Sequence, residues 1–171
     1  MGLTFTPEAF RCGVDIVGLS SLVTLLENIP PYWVPMRPLL SVRVGDPRDP
    51  KDREFLWDRS PLKYADRIVR PLLIGQGAND PRVKKQESDQ IVQALKGKGV
   101  PVIYALYPDE GHGFLRQENR LSFAAVAELF LAKFLGGRTE PIGGDFAGSS
   151  LTIPVGAEEL PEVAAVLPGG D

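Results

Sequence analysis

The chain has 171 residues, 43% of them hydrophobic and 24% charged, which is typical of a soluble protein with one globular core. A formal net charge of −3 gives no reason to expect a nucleic-acid partner. No apolar run is long enough to cross a bilayer, so we expect no membrane partner. Cys12 is the only cysteine, which excludes an intrachain disulfide; we expect no metal, no cofactor and a cytoplasmic location.

The first part of the chain predicts one strand and several short helices. In order, these are a buried strand at 13–18, a short helix at 22–26, and helical pieces around 36–44 and 50–57. Ser20-Ser21 offers an N-terminal cap for the short helix. Seven prolines from Pro30 to Pro61 restrict where the later helices can run. We interpret this stretch as an insertion of the kind that often shapes a substrate pocket.

The second part of the chain predicts two buried strands, each followed by a helix. The strands are at 71–75 and 101–107, and the helices are at 83–96 and 123–134. Apolar residues recur at helical spacing in both helices, and glycines end them. The order β, helices, β, α, β, α predicts an α/β fold of parallel strands with flanking helices. Three strands are few for such a sheet, so we expect the architecture to be truncated at its start.

Residues 138–171 differ in composition from the rest of the chain. They carry one basic residue, Arg138, against six acidic residues, and they are rich in glycine and proline. Large apolar residues are few in this stretch. We therefore predict a flexible acidic tail, loosely packed against a domain formed by residues 1–137.

The two strands of the second part end in polar loops, where α/β proteins place their chemistry. Asp80 follows the first strand, and His112, the only histidine, follows the second between two glycines. Parallel strands would place these loops side by side, with the carboxylate orienting the imidazole as in the Asp-His half of a serine hydrolase triad. Asp109 and Glu110 also lie near His112 in the sequence, and either could contact it, but we interpret them as solvated or loop-stabilising carboxylates.

No serine of the chain has the setting of a triad nucleophile, which is the sharp strand-to-helix turn Gly-x-Ser-x-Gly. Ser20 follows a strand and precedes a helix, but Leu22 stands where the turn needs its closing glycine. Ser149 and Ser150 follow no predicted strand, and Cys12 precedes a strand instead of following one. We therefore predict that the chain alone lacks the nucleophile and is inactive.

Three segments together resemble one known family: Phe5–Gly18, Leu73–Val83 and Tyr107–Phe114. Over residues 1–138 the chain is similar to the C-terminal part of the catalytic domain of the prolyl oligopeptidase family, in its dipeptidyl and acylaminoacyl peptidase branch. The resemblance implies the C-terminal portion of an α/β-hydrolase fold, truncated before the nucleophile strand. It also implies a serine peptidase that hydrolyses short peptides through a Ser-Asp-His triad.

By this resemblance, Asp80 and His112 match the acid and the base of the triad. Arg82 and Val83 match positions that bind a substrate carbonyl and line the pocket for the P1 side chain. The resemblance places the serine, the oxyanion donors and a propeller domain upstream of Met1. The implied partners are therefore a peptide substrate and the missing N-terminal portion of the chain's own domain.

Two other functions stay open from the residues alone. A half-domain derived from a hydrolase could serve as a non-catalytic interaction module, or the triad could act on small esters instead of peptides. Truncation would also leave the strand at 14–17 without a neighbour on one side. We therefore expect copies of the chain to assemble into dimers or larger homo-oligomers.

Overall fold

The computed structural model describes residues 1–167, and its four strands form one sheet. In sheet order they are β1 (Gly13–Ile16), β2 (Leu72–Gly77), β3 (Val102–Tyr107) and β4 (Thr152–Val155). The first three are parallel to one another, and β4 runs antiparallel to β3. The predicted α/β class with parallel strands and flanking helices is confirmed, with one antiparallel strand added at an edge.

Seven α-helices accompany the sheet in this described part of the chain. They are α1 (Gly2–Phe5), α2 (Leu22–Glu27), α3 (Arg37–Arg43), α4 (Pro50–Asp58), α5 (Lys85–Leu95), α6 (Gln117–Leu135) and α7 (Pro161–Ala164). The two helical pieces predicted among the prolines correspond to α3 and α4. Among residues 1–167, no helix combines the length and the apolar character that a membrane span requires.

The two faces of the sheet carry separate cores, because alternate side chains of a strand point to opposite faces. On one face, Leu73 and Ile103 pack with Phe130 and the rest of the inward side of α6. On the other face, Ile74 packs with Leu95 and its neighbours on α5. Since β2 and β3 are covered on both faces, residues 72–74 of β2 and residues 102–107 of β3 are continuous apolar runs instead of alternating ones.

Helix α2 begins where the sequence predicts because Ser21 caps it. Ser21 Oγ accepts the N–H group of Thr24 at 3.3 Å. The buried carboxylate of Glu87, on α5, accepts the N–H groups of Ser20 and Ser21 at 3.1 and 2.9 Å. These bonds fasten the start of α2 to α5 and, through α5, to the sheet.

The tail is packed more firmly than its composition predicts. β4 lies against β3, with Thr152 opposite Leu106 and Val155 opposite Tyr104. Three apolar side chains of the tail are buried in the core on the α6 side: Leu151, Leu160 and Val163. The expectation of a loosely packed tail is therefore corrected for residues 151–163, because these side chains find an open sheet edge and the flank of α6. Residues 168–171, part of the same expectation, lie outside the described residues.

β1 forms the other edge of the sheet, and among residues 1–167 it has a strand neighbour, β2, on one side only. Two apolar side chains of β1 are open to solvent: Val14 is 37% exposed and Ile16 is 49% exposed. A groove of about 430 Å³ runs beside β1 and α1, and the half-buried Asp15 lines it. Burial raises the pKa of Asp15, and the N-terminal ammonium group of Met1 lowers it by less.

Candidate active site

The loops that follow β2 and β3 bring Asp80 and His112 into direct contact. Nδ1 of His112 lies 2.8 Å from Oδ2 of Asp80. Because a carboxylate only accepts hydrogen bonds, this contact assigns the ring hydrogen to Nδ1 and leaves Nε2 as an acceptor. The Asp80 side chain is fully buried, whereas 30% of the His112 side chain is exposed. The pair thus combines an accessible imidazole with an inaccessible carboxylate.

The backbone fixes the second carboxylate oxygen of Asp80. Oδ1 accepts the N–H group of Arg82 at 2.8 Å and that of Val83 at 2.9 Å. An aspartate that accepts hydrogen bonds from the backbone two and three residues later stabilises a tight turn. With one oxygen held in this way, the other oxygen is aimed at His112 and the carboxylate cannot rotate freely.

The two loops are also joined to each other by hydrogen bonds. The N–H group of Ala78 donates to the carbonyl of Tyr107, and that of Asn79 donates to the carbonyl of Glu110, both at 2.9 Å. The Asn79 side chain adds a third bond, from Nδ2 to the carbonyl of Pro108 at 2.8 Å. These bonds continue the pairing of β2 with β3 beyond the ends of the strands. The sheet therefore sets the separation of the two loops.

Glu110 holds the loop that carries His112. Its buried carboxylate accepts the N–H groups of Leu115 and Arg116, both at 2.9 Å, and Nδ2 of Asn119 at 2.8 Å. Burial raises the pKa of Glu110, but these three hydrogen bonds outweigh burial and bring the pKa below its ordinary value. The hydrogen bonds that hold the loop therefore favour the ionised form of this side chain.

Asp109 ties the same loop to two other segments. It accepts hydrogen bonds from Ser150 in the tail, from the Arg116 guanidinium, and from Nδ2 of Asn119 at 3.1 Å. The Ser150 hydroxyl does most to hold the pKa of Asp109 below its ordinary value; burial opposes this, and Arg116 and Asn119 reinforce it. Both acids beside the histidine thus hold the loop in place, in agreement with their interpretation from the sequence.

Arg82 and Val83 lie directly beside Asp80, in the segment that leads into α5. Arg82 is exposed, and its guanidinium forms no hydrogen bond or ion pair with any of residues 1–167. Val83 is only 8% exposed, and its carbonyl accepts Nε2 of Gln76 at 3.1 Å. Arg82 is therefore free to contact a bound molecule, whereas Val83 offers little surface to one.

The serines weighed as nucleophiles are engaged elsewhere. Ser20 is 3% exposed, and its hydroxyl donates to a backbone carbonyl of α5 at 2.7 Å. Ser149 and Ser150 donate their hydroxyl hydrogens to Asn119 and Asp109. None of these hydroxyl groups has the exposed setting of a strand-to-helix nucleophile turn.

Cys12 is also a poor candidate for a nucleophile. Its side chain packs against the core on the α6 side of the sheet. Burial raises the pKa of the Cys12 thiol, and the nearby Arg11 lowers it by less. Reactive cysteines have the opposite property, a lowered pKa that favours the thiolate.

Sequence reasoning missed Asn119, near the site, and the unusual backbone conformation of Val17. Asn119 is fully buried and donates to both Asp109 and Glu110; its position one helical turn before Phe123, on the inward side of α6, could have revealed it. Val17, directly after β1, has a φ of +50°, which a β-branched residue adopts only under strain. Its N–H group donates to the backbone of β2 at 2.8 Å. Nothing in the sequence marks this conformation.

Comparisons with known proteins show what the chain is similar to. The chain matches the prolyl oligopeptidase family model over residues 1–138. It is 61% identical over 168 residues to the dipeptidyl aminopeptidase BIII of Pseudoxanthomonas mexicana. It is 49% identical over 160 residues to the dipeptidyl peptidase family member 6 of Caenorhabditis elegans. These matches cover 98% and 92% of this chain but 24% and 22% of the two relatives, so the chain spans about a quarter of their length.

A solved structure supports the same fold. The puromycin-hydrolyzing peptidase of Mycobacterium tuberculosis superposes with a TM-score of 0.70 at 28% identity. The superposition covers 81% of this chain and 20% of that protein. The expected portion of an α/β-hydrolase fold is therefore confirmed.

Proposed function

Because the chain belongs to the prolyl oligopeptidase family of peptidases, we propose that it supplies the acid and the base of a Ser-Asp-His triad in a serine peptidase. Asp80 is the acid and His112 is the base. The observation that carries this assignment is the 2.8 Å contact between Asp80 Oδ2 and His112 Nδ1, with the carboxylate buried and the imidazole accessible. The nucleophilic serine and the oxyanion donors are assigned to polypeptide outside residues 1–171.

In the proposed reaction, Nε2 of His112 accepts the proton of the serine hydroxyl while the serine oxygen bonds to the carbonyl carbon of the peptide. Asp80 stabilises the imidazolium that forms and keeps the ring oriented. The imidazolium then gives its proton to the leaving amine as the C–N bond breaks. A water molecule, deprotonated by the same imidazole, then bonds to the acyl carbon. The imidazolium returns that proton to the serine oxygen as the C–O bond of the ester breaks, which releases the acid and restores the serine hydroxyl.

The names of the two curated relatives favour short peptides from which dipeptides are released. Arg82 is the residue of this chain best placed to contact such a substrate, because its guanidinium is exposed and free to donate to a substrate carbonyl. Val83 is assigned to the wall of the P1 pocket. Its small exposed area limits it to a narrow part of that wall.

The proposal is tested in a hybrid enzyme, in which this chain replaces the matching segment of the Pseudoxanthomonas mexicana relative. We expect the hybrid to hydrolyse a chromogenic dipeptide amide. His112→Ala should lower its kcat on the order of a millionfold, because the serine then has no base. Asp66→Asn, a change at an exposed aspartate away from the loops, serves as the control and should keep the activity.

A fluorophosphonate probe gives a second test. The hybrid should be labelled by the probe and the isolated chain should not, because the isolated chain holds the acid and the base without a nucleophile. A folded hybrid without turnover, or a His112→Ala hybrid that is as active as its parent, would contradict the proposal. Labelling of the isolated chain that disappears in Ser20→Ala would show that it carries its own nucleophile.

A further inference from the structure

A segment of the tail, residues 148–150, contacts the loop that carries His112. This segment lies beyond the family match, which ends at residue 138. The Ser150 hydroxyl donates to Oδ1 of Asp109, three residues before the histidine. A hydrogen bond to an ionised carboxylate belongs to the stronger class of such bonds. The tail is therefore bonded directly to the loop of the candidate base.

Asn119, at the start of α6, connects this tail segment to the loop from the inside. Its Nδ2 donates to Glu110 at 2.8 Å and to Asp109 at 3.1 Å. Its Oδ1 accepts the N–H group of Ser150 at 3.0 Å and the hydroxyl of Ser149 at 3.1 Å. An amide side chain has two donor hydrogens and two acceptor positions, so Asn119 is fully engaged. Its orientation depends on the loop and the tail together.

Arg116 closes the network at the far end of the loop. Its Nη2 donates to the carbonyl of Gly148 at 2.9 Å, and its Nη1 pairs with the carboxylate of Asp109. Its backbone N–H group donates to Glu110 at 2.9 Å. One arginine thus links the tail segment to both acids of the loop. Displacing the tail segment would remove partners from Arg116 and Asp109 at the same time.

The tail segment is itself held by the strand that follows it. Leu151 is 4% exposed in the core, and β4 begins at Thr152. Thr152 Oγ1 donates to the carbonyl of Leu106, on β3, at 3.1 Å. The tail segment is therefore attached to the same sheet whose loops carry Asp80 and His112. Residues that do not touch the substrate can still hold a functional side chain in one geometry when they are themselves fixed by hydrogen bonds and packing.

We propose that Ser150 and Asn119 are positioning residues for His112, and that the tail fixes the loop which presents the imidazole to Asp80. The hydrogen bonds that connect the tail to the His112 loop are made to Asp109 and Glu110, the two acids that precede the histidine. This inference rests on the proposed function, because positioning matters for catalysis only where His112 is the base. The test observes the His112 imidazole directly by NMR and does not depend on catalytic turnover.

His112 is the only histidine of the chain, so its ring can be followed by NMR in the full chain without ambiguity. In the unmodified chain we expect a downfield Nδ1–H resonance, from the bond to Asp80, and one dominant tautomer. Ser150→Ala removes the hydroxyl and should weaken or abolish that resonance and populate the Nε2–H tautomer. Ser150→Thr keeps a hydroxyl and should restore the spectrum of the unmodified chain.

Glu159→Ala is the matched control, because it removes the carboxylate that pairs with Lys133 of α6 at 2.6 Å, a contact of the same tail that does not involve the loop or residues 148–152. Urea unfolding of each variant separates a loss of stability from a change at the imidazole. A His112 spectrum that Ser150→Ala leaves unchanged, or that Glu159→Ala changes equally, would overturn the proposal. A Ser150→Ala chain that fails to fold would also overturn it, because a positioning residue is not expected to carry the fold.

The hybrid enzyme gives an independent readout of the same proposal. Ser150→Ala should lower its kcat by up to about a hundredfold with little change in KM, because the substrate still binds while the base is misplaced. An equal loss in kcat/KM that arises from KM alone would contradict positioning. An inactive parent hybrid would count against the proposed function, whereas the NMR comparison would still decide the role of Ser150.

Discussion

Gly77 and Gly111 approach so closely that a Cβ added to Gly77 would lie 2.2 Å from the Gly111 carbonyl oxygen. The same Cβ would lie 2.6 Å from the carbonyl oxygen of Glu110. Both distances are far shorter than a carbon–oxygen contact, and the atoms concerned belong to the backbone, which cannot rotate away. The absence of a side chain at Gly77 therefore allows the loops of Asp80 and His112 to lie against each other.

Gly77→Ala should push the two loops apart. We expect the free energy of unfolding in urea to fall by about 1–3 kcal/mol, the usual cost of overpacking. The His112 Nδ1–H resonance should weaken at the same time. Gly144→Ala is the control, because a Cβ there would meet no atom within 4 Å, and it should change stability by less than about 0.5 kcal/mol. If the two variants lowered the free energy of unfolding equally, the close approach of the loops at Gly77 would not be important for stability.

Asp80→Asn tests the choice of the triad acid. Asparagine at this position would favour the wrong imidazole tautomer, so kcat of the hybrid enzyme should fall roughly ten-thousandfold. Asp109→Asn and Glu110→Gln should each lose much less, because these carboxylates hold the loop, whereas Asp80 contacts the imidazole directly. Near-normal turnover in Asp80→Asn, together with a large loss in one of the other two variants, would assign the acid elsewhere.

Arg82→Ala tests whether the exposed guanidinium binds substrate. A charged hydrogen bond to a substrate carbonyl contributes about 1.5–3 kcal/mol, so kcat/KM for a peptide should fall roughly 10- to 150-fold. A small ester, which lacks that carbonyl, should lose less. Lys84→Ala, at the next exposed cation, controls for the loss of positive charge. Equal losses for peptide and ester, combined with a lower unfolding midpoint, would favour a structural role for Arg82.

Asp15→Asn tests how a buried carboxyl affects stability at different pH values. Burial raises the pKa of Asp15, so the folded chain binds this proton more tightly than the unfolded chain does. Its contribution to stability is complete below the ordinary pKa and is lost as the pH rises through the folded value. We therefore expect Asp15→Asn to unfold at a higher temperature than the unmodified chain at neutral pH.

That difference should shrink below a pH of about 3, where the Asp15 carboxyl is neutral in both the folded and the unfolded chain. Asp66→Asn, at an exposed aspartate, controls for the removal of one negative charge. An advantage of Asp15→Asn that is the same at both pH values, or no advantage at neutral pH, would contradict the expectation.

The open edge of β1 should make copies of the chain associate. Unpaired backbone groups and exposed Val14 and Ile16 form a surface on which another chain can add. Light scattering should therefore detect dimers or larger species, and Ile16→Lys should shift them toward the monomer. Val42→Lys, at an exposed valine of α3 that does not line the groove beside β1, is the control and should leave assembly unchanged. A monomeric parent chain with slowly exchanging amides at 14–17 would contradict this prediction.

Elements with strong local patterns could be predicted from the sequence. Residues 72–74 of β2 and residues 102–107 of β3 are continuous apolar runs followed by polar loops, and α5 carries Ile91, Val92 and Leu95 at helical spacing. The proximity of Asp80 to His112 could be predicted as well, because each follows one of two consecutive parallel strands, which lie side by side in the sheet. The start of α6 at Gln117 could not be predicted, because its first turns are polar; the apolar pattern indicates a helix only from residue 123.

The role of the tail became visible only in the tertiary structure. Thr152–Val155 is a short segment that contains a proline, and alone it has no strong strand pattern. It forms β4 because β3 offers an unpaired edge and because Leu151 and Leu160 fill space beside α6. A local pattern depends only on residues that are close in sequence, and it can indicate which side chains of a helix or strand are buried. A bond such as that from Ser150 to Asp109 joins residues 41 positions apart, so it depends on how complete elements pack.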